Sequence, residues 1–213
     1  MRLHRVLLLI FATMAFCRLG WTQDPLADLY KNAGNAADQK VAQRYFPAIQ
    51  KCGNALADKS KTTSAANLCK QAAKIAQEFS PNARLVEKLD AFGWAAYALA
   101  QNGELKEALV WANKAVDLAK LVDDERDSSI AYARRGAIEA ASGDLTAADQ
   151  DMTIAEDFDR KAIVWAKQAK FFTHIDDYYR GFIQDLRDHA AILQKMNRPE
   201  EAQKKLNEAA EVH

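Results

Sequence analysis

The sequence predicts an all-α chain, an α-solenoid of antiparallel helix hairpins. Three observations lead there. Alanine is very frequent, while 213 residues hold only 8 glycines and 4 prolines; such a chain favours helix. No run of alternating β-branched residues marks a half-buried strand. Small residues also recur at long intervals: Ala65, Ala108, Ala148 and Ala202 follow one another at spacings of 43, 40 and 54. Periods in this range belong to stacked helical repeats. One hairpin cannot bury its own apolar face, and its neighbours cover it.

The chain opens MRLHRVLLLIFATMAFCRLGWTQDP. Arg2 and Arg5 make a basic start, and Val6 to Phe16 is an uncharged apolar run of 11 residues. That run is too short to span a bilayer, which needs about 20 residues. The pattern reads as a secretory signal peptide over residues 1–22, with cleavage after Ala15, Cys17 or Thr22. Two alternatives stay open: lipidation at Cys17, which Phe16 before it opposes, and an uncleaved membrane anchor.

The elements then follow in order. Residues 23–45 read as an N-terminal helical cap of two short helices, Asp24 to Gly34 and Ala36 to Tyr45, parted at Gly34-Asn35. Pro47 suits a first helical turn, where its missing N–H costs nothing, so a helix is expected from there to about Asp58. Lys59 to Thr63 is polar and turn-like. Thr63 to Phe79 is helical, and Ser80-Pro81-Asn82 ends it. Leu89 to Gln101 and Leu105 to Lys120 flank the turn Asn102-Gly103-Glu104. Val122 to Asp127 reads as an acidic linker. The next helix ends at Ser142-Gly143-Asp144. A long helix follows to about Ala169, with Phe158, Ala162, Trp165, Ala169 and Phe172 at helical period, and the aromatics Phe158, Trp165 and Phe172 of that stripe expected to be core. Thr173-His174 breaks it. Asp176 to Met196 is a further helix, and Asn197-Arg198-Pro199 turns into a last one that opens on Pro199, Glu200 and Glu201.

Tyr132 to Ala155 reads YARRGAIEAASGDLTAADQDMTIA. Small residues stand where two helices must touch: Gly136, Ala148 and Ala155. Tyr132, Leu145 and Met152 flank them. This stretch resembles the tetratricopeptide repeat, of an exported bacterial type. Arg135-Gly136, Gly143-Asp144-Leu145, Ala147 to Asp149 and Asp151-Met152 carry the resemblance. It implies a superhelical array over residues 46–213, in copies of about 46–79, 89–120, 129–170 and 174–212. In the first copy it sets Gly53 opposite Ala65, with Cys69 in the place of Met152. In the fourth, Ala190, Ala202 and Leu206 match Gly136, Ala148 and Met152. The second copy departs from the family pattern at Ala112, beside Trp111.

Without residues 1–22 the chain keeps 26 basic and 29 acidic residues, a net charge of about −3. A nucleic-acid surface normally shows a basic excess, so that class is excluded. Cys52 and Cys69 make an even pair in a chain read as exported. They form either a disulfide or two buried small apolar side chains. Helix axes 8–10 Å apart are usually too distant for the bond, and a Gly53/Ala65 contact would bring them closer.

Catalytic motifs are missing: no Gly-rich phosphate loop, no G-x-S-x-G, no H-E-x-x-H and no C-x-x-C. Asp185 and His189 share a helix face near His174, Asp176, Asp177 and Asp188. Carboxylate and imidazole at that spacing can hold a metal, but no second pair is in view, and a solvated charged face is expected instead. No catalytic, cofactor-binding or metal-binding residue is assigned, and no small-molecule substrate.

The resemblance implies an interaction protein whose first helices line a concave groove. Gln50, Asn54, Asp90, Tyr97, Gln101, Arg134, Ala137, Gln184, Arg187 and Gln194 fall on that side. Asn54, Asp90, Tyr97, Gln101, Arg134 and Arg187 are the candidate partner-binding residues. Ala133, Ala137, Ala140 and Ala141 would floor the groove. Family members that clamp a C-terminal carboxylate use lysines there, and the second copy has none. The expectation is a non-enzymatic scaffold of the cell envelope, periplasmic or secreted, binding a protein or peptide. It would meet a membrane only through an uncleaved signal. The rival is a permanent structural subunit of an envelope or secretion assembly.

Overall fold

The computed structural model describes residues 36–170 and 175–212. The signal segment, Cys17, the Asp24–Gly34 helix, Phe172 and the Thr173-His174 break lie outside the described residues. Among those described, the chain is all-α, with no strand. It divides into two compact units, one ending at Asn102 and one starting at Gly103. Each is built of antiparallel hairpins stacked one on the next.

The first unit holds α1 (Ala36–Leu56), a 3-10 turn (Lys59–Lys61), α2 (Thr62–Ala76) and α3 (Leu85–Gln101). Helix α2 packs between α1 and α3. Two short helices were expected up to Asp58, parted before Pro47; α1 instead runs through Pro47. The proline forfeits the bond to the carbonyl four residues back, a real cost. Packing on both sides outweighs it. Tyr45 is buried, and its hydroxyl donates to the Glu87 carbonyl at 2.9 Å. One and a half turns beyond the proline, Cys52 is bonded to Cys69.

Helix α3 starts at Leu85, one turn before the expected Leu89. Arg84 precedes it in the left-handed region, at φ 53°. Lys88, buried in that first turn, donates to the carbonyls of Ser80 at 2.6 Å and Pro81 at 3.0 Å. From α1 the buried Asp38 accepts the Ser80 N–H at 2.8 Å. The Ser80-Pro81 turn is thereby tied to both helices, and the extra helical turn follows from that anchoring.

The cysteine alternatives resolve to a disulfide, with Cα atoms 4.6 Å apart. The spacing device expected for it is corrected. Gly53 does not face Ala65. A Cβ built on Gly53 would lie 2.9 Å from Trp94 Cζ3, on α3.

The second unit holds α4 (Leu105–Ala119), α5 (Glu125–Ser142), α6 (Leu145–Gln168), α7 (Ile175–Lys195) and α8 (Pro199–Glu211). Helix α5 packs on α4 and α6, and α7 on α6 and α8. The expected acidic linker is half helix. Asp124 caps α5 by accepting the Asp127 N–H at 2.8 Å, and acids favour a first turn. The α5–α6 turn is the expected one. Gly143 takes φ 93°, which a side chain would resist, and Asp144 N–H returns to the Glu139 carbonyl at 2.9 Å.

Gly136 meets the helix that carries Ala148, as expected. Ala148, Met152 and Ile192 form one core cluster, against which Ala133 and Ala140 pack. Ala190, Leu193 and Ala202, with Leu206, form another between α7 and α8. The aromatic stripe of α6 is corrected: Trp165 is 50% exposed. Ala162 of that stripe is buried, but Ile163 and Ala166 take the other buried positions, and Ile163 packs with Phe182 and Leu186 of α7. The seam to α7 is rotated away from the Phe158–Trp165 line. Phe158 itself stacks on Tyr132, with ring centroids 5.9 Å apart.

Candidate functional site

The first unit contains an open cleft of about 250 Å³. Its walls come from three helices. Ala55 and Leu56 end α1, Thr62 and Ala65 begin α2, and Tyr97, Ala98 and Gln101 end α3; Asp58 stands at the 3-10 turn between. Two of the six candidate residues, Tyr97 and Gln101, therefore line one cleft, a turn apart on α3. Tyr97 is half-buried and Gln101 exposed. The floor is four small or aliphatic side chains, and the rim is hydroxyl, amide and one carboxylate.

That carboxylate is already committed. Asp58 accepts the Ser60 N–H at 3.1 Å and its Oγ–H at 2.7 Å, and pairs with Lys61 at 2.9 Å. The Ser60 hydroxyl, then Lys61, hold its carboxyl down at about 2. Next in sequence to the lining residues Thr62 and Gln101, Thr63 Oγ1 donates to Asn102 Oδ1 at 2.9 Å and ties α2 to the end of α3. An apolar floor with a neutralised acid suits an uncharged side chain better than a charged one.

The other two candidates of this unit fall elsewhere. Asn54 is exposed on α1 outside the cleft lining. Asp90 lies two turns before Tyr97, half-buried, and its charge adds to the burial that raises the Tyr45 hydroxyl pKa.

Arg134 and Arg187 belong to the second unit. Arg134 is half-buried on α5 and engaged within the fold, and Arg187 is exposed on α7. The alanine floor divides in two: Ala137 and Ala141 are open, whereas Ala133 and Ala140 back onto the Met152 cluster.

The expected solvated face of Asp185 and His189 is overturned. His189 is 2% exposed and bridges two α6 carboxylates. Its Nε2 lies 2.7 Å from Asp149 Oδ1 and its Nδ1 2.6 Å from Glu156 Oε1. Glu156 also accepts from Lys205 Nζ at 2.5 Å, and Asp149 from Arg198 at 2.6 Å. Burial raises both acids' pKa values, but His189, Lys205 and Arg198 prevail, and both end below the usual carboxylate range.

About one turn away, Asp159 and Asp185 meet on the Ser129 hydroxyl, at 2.7 and 3.4 Å. Between α5 and α6, Arg135 forks onto Asp151 at 2.5 and 2.7 Å. The neighbouring Glu139 keeps a buried oxygen without a hydrogen-bond partner, and burial, then the Asp151 charge, raises its carboxyl to about 7. Among the described residues, no three His, Cys, Asp or Glu side chains are arranged to hold a metal. These groups fasten helices to one another. Sequence spacing put Asp185 and His189 on one face; it carried no sign that α6 supplies carboxylates at Asp149, Glu156 and Asp159 opposite them.

No protein-family model matches the chain, and no curated protein matches it. Among solved structures it is similar to the nearly identical TPR-like repeats of a Podosopora anserina kinesin-light-chain-type protein. That likeness has 13% identity and a TM-score of 0.44, over 81% of this chain and 94% of that one. MamA is similar at 18% identity and a TM-score of 0.35, over 72% and 92%. BtubC from P. vanneervenii is similar at 10% identity and a TM-score of 0.39, over 89% and 91%.

Proposed function

We propose that this chain is a non-enzymatic interaction scaffold that docks an extended segment of a protein partner. One observation carries the reading: the cleft that joins Tyr97 and Gln101 to the floor of Ala55, Leu56, Ala65 and Ala98. A half-buried tyrosine presents a rigid apolar ring and a polar tip, the combination found at interface hot spots. Gln101 and Thr62 offer donors and acceptors to a main chain laid across the mouth. The cleft is smaller than the roughly 300–1,000 Å³ of small-molecule sites, which favours a partner side chain as its occupant. Arg187, exposed in the second unit, is a separate candidate contact for an acidic side chain.

Export to the periplasm or outside the cell belongs to the same proposal. The basic start at Arg2 and Arg5, the apolar run after it, and a disulfide all support it.

The test is binding by a Tyr97→Ala variant. A partner captured from envelope extract should bind it about 2 kcal/mol more weakly, with helicity and melting unchanged. Undiminished binding, or a collapsed fold, would remove Tyr97 from the site.

A second reading is a permanent subunit of an envelope assembly. It is favoured by Val164 and Trp165, 52% and 50% exposed on α6, since large apolar groups in the open can mark a contact surface. Stoichiometric co-purification through a high-salt wash separates it from the first.

A further inference from the structure

We propose that the Cys52–Cys69 bond positions the walls of the Tyr97 cleft, so that the cleft exists only in the oxidised chain. The proposal rests on reading that cleft as a binding site.

The bond lies under two of the three walls. Ala55 and Leu56 stand three and four residues after Cys52, one turn along α1. Ala65 stands four residues before Cys69, one turn along α2. Residues so spaced share a helix face. The cysteine Cα atoms are 4.6 Å apart, toward the short end of the roughly 4.4–6.8 Å that a disulfide spans. Gly53 does not draw these helices together, because its open side receives Trp94 of α3. Trp94 precedes Tyr97 by one turn and Gln101 by two. The Gly53–Trp94 contact therefore sets the gap from α1 to α3, and the disulfide sets the gap from α1 to α2. Two unbonded sulfurs cannot come to bonding distance. Without the bond the helices part at this level, and Ala55 and Ala65 no longer close the floor.

Both cysteines are 0% exposed. A thiol cannot reach the bond in the folded chain, so its state is fixed during folding. The chemistry is thiol–disulfide exchange with an oxidant of the protein-disulfide class. The two cysteine S–H bonds and the oxidant's S–S bond break. The Cys52–Cys69 bond forms, and the oxidant leaves as a dithiol with both protons. A chain folded in a reducing compartment would be helical but lack the cleft.

The test is amide exchange and ring resonances by NMR on the oxidised chain and on Cys52→Ala/Cys69→Ala. Amides from Ala55 to Ala65 should exchange about tenfold faster or more in the variant, and the Tyr97 ring signals should shift. Amides near Asp38, Ser80 and Lys88, at the far end of the same unit, should keep their protection. Unchanged exchange and an unchanged Tyr97 ring overturn the proposal. Protection lost throughout the unit also overturns it, since the bond would then be a general staple. If the variant does not fold, the natural chain refolded without oxygen, its thiols free, is held to the same criteria. Dithiothreitol added to the folded oxidised chain should change nothing; conversion to the reduced spectrum overturns fixation at folding. A cleft that responds as expected in a chain that binds no partner leaves this positioning role standing and sinks the interaction reading alone.

Discussion

Gly136 on α5 turns its open side to the backbone of Ala148 on α6. A Cβ on Gly136 would lie 3.2 Å from the Ala148 carbonyl oxygen, 3.2 Å from Met152 Sδ and 3.3 Å from Asp151 Cβ. A methyl group is tight there, and anything larger has no room. Gly136→Leu should therefore overpack the hairpin and cost roughly 1–3 kcal/mol or more. Gly136→Ala should be nearly neutral. The methyl crowds its neighbours, while alanine is better than glycine in a helix interior by about 1 kcal/mol. Urea unfolding of the two variants checks this; a leucine variant as stable as the parent removes the contact from the explanation of the fold.

This contact was legible in the sequence because small residues at fixed spacing mean close helices. So were the Gly143 turn, the Pro199 start and the fourth hairpin, where Ala190 and Ala202 share a cluster. Pro47 misled because local propensity stops a helix there, whereas Tyr45 and Cys52 hold it from either side. Trp165 misled because a helical period shows that a stripe exists without showing which stripe its neighbour covers. The site was half legible. Tyr97 and Gln101 follow from the face of one helix. Asp58, Thr62 and Ala65 join them only through the packing of α1 and α2 beside α3, and no periodicity encodes that packing.

His189 should act as a rivet between α6 and α7. Its ring nitrogens reach Asp149 and Glu156 at 2.7 and 2.6 Å. His189→Phe would leave these acids with Arg198 and Lys205 but bury them against an apolar ring, at a cost of about 3 kcal/mol near pH 6. The sign with pH follows from the lowered carboxylates. Their stabilisation is present above the unfolded carboxylate range, at about 4, and is lost as pH falls through their lower folded values. The variant should thus show a shallower acid limb as well as lower stability. Equal acid limbs in a pH series of urea midpoints would show that the histidine does not hold these carboxylates down.

Asp185→Asn should stabilise the protein at neutral and alkaline pH. Asp185 on α7 and Asp159 on α6 share the Ser129 hydroxyl, which has one proton to give. Arg126 donates to Asp159 at 3.3 Å, and Asp159 Oδ2 is buried without a hydrogen-bond partner. Two carboxyls thus face one guanidinium, and the pair keeps a proton. Burial, then the Asp159 charge, pushes Asp185 up to about 9, and burial raises Asp159 as well. A raised carboxyl contributes stability that is fully present below its unfolded value of about 4 and is lost as pH climbs through the folded value. At pH 8 the folded chain must hold a proton that the unfolded chain has released. An asparagine there carries no such cost, and its amide can donate to the orphaned Asp159 oxygen. The variant should be about 1–3 kcal/mol more stable at pH 8, with the difference closing toward pH 4. Urea unfolding across that range measures it. Parallel curves, or a variant weaker at pH 8, would mean that both acids are ionised and that the seam between α6 and α7 tolerates the charge.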